Sequence, residues 1–244
     1  MFEAQSRDRA GLLLWMSHPC WPSFVWQTYD YYLEPTAAYF GCKKGSEPLH
    51  IQWNRHADTI EVVNYSAGDV RGLSARVELL NIDGTKMQDR SSALNSNEDS
   101  VVTCLQMEYP DRLSPVHFLR LTLSRDANVL SSNLYMRGIE EDNYRAIRQL
   151  DKARVKTTTT TARMGDLWRL TTELENASAF PALLTRLKAV RAVGGDRILP
   201  AIYSDNYVTL FPGERKTIAT ELRDADTRGE RPRILVGGFN VTTS

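Results

Sequence analysis

Near the start of the chain, two indoles, a histidine and a cysteine fall close together in Trp15-Met16-Ser17-His18-Pro19-Cys20-Trp21. An indole offers a flat apolar face on which a sugar ring can stack, which makes Trp15 the first candidate for contact with a substrate and His18 and Trp21 lesser ones. His18-Pro19-Cys20 has no third ligand at useful spacing, so no metal site is expected. Three cysteines (Cys20, Cys42, Cys104) are too few for a disulfide framework and read as free, buried thiols. His50 and His56 flank one strand without partners. The carboxylates Glu3, Asp8, Asp30, Glu34 and Glu140-Glu141-Asp142 read as solvated surface, and none is placed to face another across a glycosidic bond. No catalytic residue is therefore assigned. Asn64-Tyr65-Ser66, Asn176-Ala177-Ser178 and Asn240-Val241-Thr242 match the glycosylation sequon. In the first two, Asn and Ser at a strand corner can bond the turning backbone instead. Glycine-rich phosphate loops, nucleophile elbows and zinc-protease motifs are missing, so no cofactor is expected.

The elements that would carry these residues change character along the chain. Residues 2–9 read as a helix end, closed by Gly11. The continuous run Leu12 to Met16 suits a strand buried on both faces, as in parallel α/β sheets. Ser23 is a plausible N-cap for a helix from Phe24 to Leu33, with Trp26, Tyr29 and Tyr32 on one core-facing side. Pro35 starts a second helix that Gly41 or Gly45 ends. If the strand belongs to an α/β barrel, Trp15 lies at the end that lines the active site.

From about residue 47 the pattern has period two. Strands are expected at 49–53, 59–65, 73–82, 101–107, 116–124 and 129–136, with Asp83-Gly84 as a tight turn. Turns every 8–15 residues without helical periodicity suggest an antiparallel sandwich of about 90 residues. Residues 138–152 read as a linker. A second series follows at 153–163, 167–175, 183–193, 207–211, 216–222 and 233–239, the five threonines Thr157 to Thr161 forming part of one strand. A weak echo, strand to Asn-x-Ser to strand, links the halves.

The chain has 244 residues with 30 basic and 30 acidic side chains. That balance argues against nucleic acid or an anionic membrane as partner, and no apolar run is long enough to span a bilayer. The average hides a skew: residues 1–44 hold 10 of the 22 Trp, Tyr and Phe residues. The start, Met-Phe-Glu-Ala-Gln-Ser-Arg-Asp-Arg, is unlike a signal peptide.

Residues 11–44, from Gly-Leu-Leu-Leu-Trp-Met-Ser-His-Pro-Cys-Trp-Pro through Tyr-Phe-Gly-Cys-Lys-Lys, with Glu47-Pro48-Leu49-His50, resemble the end of the catalytic barrel in glycoside hydrolase family 2. The nearest branch is that of the exo-β-D-glucosaminidases and β-mannosidases, including the endo-acting mannosylglycoprotein enzymes. Ser131-Ser132-Asn133-Leu134-Tyr135 resembles the segment between their last two domains. The resemblance implies a mainly β fold: two immunoglobulin-like antiparallel sandwiches preceded by a short α/β remnant, the last strand and helices of a TIM barrel. The expected division is 1–44 barrel end, 45–137 first sandwich, 138–152 linker and 153–244 second sandwich. The implied chemistry is retaining hydrolysis of β-glucosaminides or β-mannosides by two carboxylates on earlier barrel strands. Both would lie upstream of Met1, so the chain alone is expected to be inert. Its implied partners are the catalytic barrel and, through it, the carbohydrate substrate, in a secreted or periplasmic parent. The alternative is a stand-alone carbohydrate-binding or interaction module.

Overall fold

The computed structural model describes residues 13–23, 26–140 and 143–243. It divides into two compact units, one of residues 1–14 and 42–149, the other of residues 15–41 and 150–244. One helix, α1 (Ala37–Gly45), runs from the second unit into the first.

The first unit contains β1 (Leu49–Asn54), β2 (Thr59–Asn64), β3 (Val70–Asn81), β4 (Lys86–Ser96), β5 (Ser100–Gln106), β6 (Val116–Arg125) and β7 (Asn128–Gly138). They form a three-stranded sheet, β1-β2-β5, and a four-stranded sheet, β4-β3-β6-β7, antiparallel throughout. Period two decides what is inside. Leu73, Ala75, Val77 and Leu79 of β3 and Leu119, Leu121 and Leu123 of β6 meet Ile51, Ile60 and Val62 of the other sheet in one core. The expected strands are present, and Asp83-Gly84 turns β3 into β4. Strand β4 was not expected. Its Lys-Met-Gln-Asp-Arg-Ser-Ser-Ala-Leu-Asn-Ser has few apolar residues to alternate, because an edge strand buries little on either face.

His50 is buried and has a partner after all: its Nδ1 lies 3.2 Å from the Glu47 carboxylate. Lys44 Nζ and the Ser131 hydroxyl each donate to the Glu47 carboxylate at 2.6 Å. Burial alone would push the Glu47 carboxyl up. The bonds from His50, Lys44 and Ser131 outweigh it and hold the pKa at about 2, below the usual 4.5.

The second unit contains β8 (Ala153–Met164), β9 (Leu167–Asn176), β10 (Ala182–Arg191), β11 (Ala201–Tyr203), β12 (Val208–Leu210), β13 (Arg215–Arg223), β14 (Pro232–Gly237) and β15 (Val241–Thr243). Its sheets are β11-β13-β9-β8-β15 and β12-β10-β14, with β15 parallel to β8. Leu170, Leu174, Ile218 and Leu222 pack against Leu187, Ala189 and Leu210. The threonine run lies within β8 as expected, and Thr159 shares a 3.0 Å hydroxyl contact with Thr172 of β9. Strands β11 and β15, three residues each, are too short to show periodicity. Between the strand series, the only helical piece among the described residues is a 3₁₀ turn at Arg145–Gln149.

All three sequon asparagines are buried. Asn64 Nδ2 donates to Gly68 O at 2.8 Å. Asn176 donates to Phe180 O and Leu210 O at 2.7 and 2.8 Å, and Asn240 to Pro181 O and Asp151 O at 2.9 Å each. The echo between the halves is thus a shared corner device, and these amides are committed to the fold rather than presented to a glycan.

Two early elements differ from expectation. Leu13 to Met16 form no strand and are exposed; no neighbouring strand among the described residues pairs with them, and a parallel strand needs such neighbours. Leu12 and the helix at 2–9 lie outside the described residues. The helix expected from Phe24 to Leu33 is replaced, over Trp26–Leu33, by a turn with an isolated Tyr29–Pro35 bridge. Asp30 Oδ1 accepts the backbone N–H groups of Tyr32 and Glu34, Leu33 sits at φ 64°, and Pro35 disfavours helix before it. Helix α1 does follow Pro35 and ends at Gly45.

Replacing Asn176 by Ala strands the buried Leu210 carbonyl and the partly buried Phe180 carbonyl and is expected to cost about 1–3 kcal/mol in urea unfolding, with the slope unchanged. Acid acts through Glu47. Its folded-state pKa is depressed, so its contribution is complete above about pH 4.5 and is lost as pH falls towards about 2. Glu47→Gln should flatten stability against pH across that window, an effect of up to about 3 kcal/mol; an unchanged acid slope would contradict the assignment.

Candidate functional site

The stretch Trp15–Gly41 holds every residue singled out from the sequence for substrate contact, and it packs on the second sandwich. Its anchor is Glu34. On β10 the inward residues Leu187 and Ala189 fill the core, which turns Arg186 and Lys188 to the outer face. There Arg186 Nη2 meets Glu34 Oε1 at 2.8 Å, and Lys188 Nζ lies 4.0 Å from Oε2. Arg197 Nη1 reaches Glu34 Oε2 at 3.0 Å and Asp30 Oδ2 at 3.5 Å, and its guanidinium lies over the Tyr32 ring. Glu34 is only 3% exposed, so the carboxylate expected on a solvated surface is instead a buried ion with cations on both oxygens. Burial pushes the Arg186 guanidinium down, but the Glu34 carboxylate more than reverses that.

A row of rings supplies the apolar half of the anchor. Tyr29 packs on Tyr39, Tyr39 on Phe40, and Phe40 on Tyr207 of the sandwich, with centroids 5.5, 5.1 and 6.1 Å apart. Phe40 joins the core cluster of this unit. Thr36 Oγ1 closes the loop by donating to Gln27 O at 2.7 Å, and Ser17 O accepts Tyr29 N at 2.9 Å.

What remains outside is aromatic. Trp15, Trp21 and Trp26 are 80, 67 and 71% exposed. Trp26 therefore does not face a core. His18 is exposed, its Nδ1 3.1 Å from Ser17 Oγ. No ring contact joins Trp15, Trp21 and Trp26 among the described residues, so the structure keeps them in one segment without assembling them into a pocket. Cys20 and Cys42 are free but exposed, contrary to the buried reading, and Cys104 is half-buried with its thiol pushed up to about 11 by burial. Among the described residues no cluster of three or more His, Cys, Asp or Glu could hold a metal. Asp30 and Glu34 are engaged in ion pairs, which leaves this segment able to stack on a ring but with neither of those carboxyls free for proton transfer.

Beside the anchor, the outer face of β10 and β14 forms a groove of about 480 Å³ lined by Leu184, Arg186, Lys188, Tyr207, Leu235 and Phe239, among others. Sequence reasoning missed both the groove and the Glu34 anchor. The only local signal was the alternation of Arg186 and Lys188 with apolar neighbours, which marks an outward basic face but not what occupies it.

The family described as the exo-β-D-glucosaminidase Ig-fold domain matches residues 133–241. Over those residues the chain is similar to that family's domain. The chain as a whole is similar to the C-terminal part of glycoside hydrolase family 2 enzymes of this kind. It is 33% identical over 261 residues to the exo-β-D-glucosaminidase of Streptomyces avermitilis, covering 97% of this chain and 29% of the relative. With that of Arthroderma benhamiae it shares 31%, covering 98% and 29%. The crystal structure of the Amycolatopsis orientalis exo-chitosanase CsxA superposes with a TM-score of 0.84 at 27% identity, over 93% of this chain and 30% of that one. The chain thus spans under a third of the length of these relatives.

Removing the Glu34 charge leaves Arg186 and Arg197 without their shared partner. Glu34→Ala is expected to weaken docking of the segment by about 3–5 kcal/mol. Hydrogen exchange at Tyr29 and Thr36 should accelerate while the β9 and β13 amides stay protected; unaltered exchange at both sites would show that the ring row suffices.

Proposed function

We propose that this chain is the accessory C-terminal region of a retaining β-glycosidase that hydrolyses β-D-glucosaminides. Residues 1–44 are the end of its catalytic barrel, 45–137 and 153–244 its two immunoglobulin-like sandwiches, and 138–152 the linker between them. The reading is supported most by one observation: Trp15–Gly41 is pinned at Glu34 while three indoles of the same segment stay exposed. Burying a carboxylate is costly, and that cost fits a segment whose position matters to something it presents.

In this reading the two carboxylates of the retaining mechanism stand on the barrel, outside these residues, one as acid and one as nucleophile. The sandwiches brace the barrel by holding its last segment. Trp15 lies under the reactive sugar, with His18 and Trp21 at the rim. The glucosaminide preference follows the relatives, which are exo-β-D-glucosaminidases.

An assay with an aryl β-D-glucosaminide tests this. The 244-residue chain alone should show no turnover, while the same chain joined to a family catalytic barrel should turn over. In the joined enzyme Trp15→Ala should lower kcat/KM by roughly tenfold or more, equivalent to about 1.4 kcal/mol of lost transition-state binding. Turnover by the chain alone, or indifference of the joined enzyme to Trp15, would count against it. Chitosan binding by the chain alone, retained in Trp15→Ala, would favour an independent binding module.

A further inference from the structure

Trp15 is 80% exposed, so its place is set by its backbone rather than by packing. Two residues on, the Ser17 carbonyl accepts the Tyr29 N–H at 2.9 Å and the Thr28 hydroxyl at 3.2 Å. Between them Met16 sits at φ 59°, in the left-handed region that residues other than glycine keep only where their surroundings hold them. Where Ser17 is fixed therefore decides where the indole stands.

Ser17 is fixed to the turn that carries Glu34. Thr36 Oγ1 closes that turn by bonding Gln27 O and Thr28 O at 2.7 and 3.2 Å, and Asp30 Oδ1 shapes it by accepting the Tyr32 and Glu34 N–H groups. Arg197 of the sandwich holds both of its carboxylates: Nη1 is 3.0 Å from Glu34 Oε2 and 3.5 Å from Asp30 Oδ2, with the guanidinium 4.1 Å from the Tyr32 centroid. Arg197 is itself on a braced turn. Arg191 N–H donates to Asp196 O and Ile198 N–H to Ala189 O, both at 2.9 Å. At the tip of that turn, Glu230 Oε2 accepts the Val193 and Gly194 N–H groups at 2.9 and 2.8 Å. A continuous series of bonds thus runs from the sandwich to the residue beside Met16. Such a series matters because misplacing a contact group by about 1 Å, through a change far from the reacting atoms, can cost up to about a hundredfold in rate.

We propose that Arg197 is a positioning residue for Trp15: through Asp30, Glu34 and Ser17 it sets where the indole stands, so the second sandwich tunes the fit of the sugar ring from a distance. The substrate half of this rests on the glycosidase reading above; the relay itself does not.

Fluorine NMR of the 244-residue chain labelled with fluorotryptophan tests the relay. Arg197→Ala should shift the Trp15 resonance while that of Trp168, in β9 of the same sandwich, stays in place. Arg197→Lys, whose ammonium cannot serve both carboxylates as a guanidinium does, should shift it less. Thr28→Val, which removes one bond to Ser17 O at the other end, should also shift it, and decides the matter if the Arg197 variants fail to fold. A Trp15 resonance unmoved by Arg197→Ala in a folded sandwich, or by Thr28→Val, would overturn the proposal. In the chain joined to a family catalytic barrel, Arg197→Ala should lower kcat/KM for the aryl β-D-glucosaminide about fivefold, and have no further effect when added to Trp15→Ala. Equal losses in both backgrounds would reduce Arg197 to a stabiliser of the fold and overturn its positioning role. A shifted Trp15 resonance in an enzyme indifferent to Trp15→Ala would instead refute the substrate reading and uphold the relay.

Discussion

Glu34 is the contact on which the rest of the second unit's surface depends. A carboxylate at 3% exposure is stable only with partners on both oxygens, and here Arg186 and Arg197 supply them from the sandwich. Asp30 adds a second carboxylate to Arg197 and at the same time caps the turn that carries Glu34. One short loop thus fixes its own shape and its seat together. The ring row from Tyr29 to Tyr207 then extends the contact as apolar area. The indoles at 15, 21 and 26 are what this anchoring leaves facing outward.

Much of the β architecture was legible because it rests on local chemistry. Alternation at Leu73, Ala75, Val77 and Leu79 announces a half-buried strand, and Asp83-Gly84 announces its turn. Asn64 and Asn176 occupy the corners their types suggest. The illegible parts have physical reasons. Strand β4 carries almost no hydrophobic pattern, and β11 and β15 are too short for one. The run at Leu12–Met16 reads as a doubly buried strand because composition cannot tell a strand with neighbours from an apolar segment such as Leu13–Met16, which pairs with no strand among the described residues. The loop at 26–33 had helical spacing of aromatics, yet Asp30 took the backbone into a turn.

The candidate site was less readable than the fold. Trp15, His18 and Trp21 are recognisable from type and position, and their exposure suits contact with a ring. What holds them spans more than 150 residues, from Glu34 to Arg186 and Arg197, and no local pattern pairs a carboxylate with cations so far along the chain. The same holds for Arg137, stacked between Trp53 and Tyr109 from two other parts of the first unit. Long-range ion pairs and cation–π stacks are written in tertiary structure alone.

The central claim is that the exposed indoles form a seam that a catalytic barrel covers. Iodide quenching of single-tryptophan variants retaining Trp15, Trp21 or Trp26 tests it most directly, comparing the chain alone with the chain joined to a family catalytic barrel. The account predicts strong quenching of all three in the chain alone and shielding of Trp15 once the barrel is present. Equal quenching of Trp15 in both would contradict it.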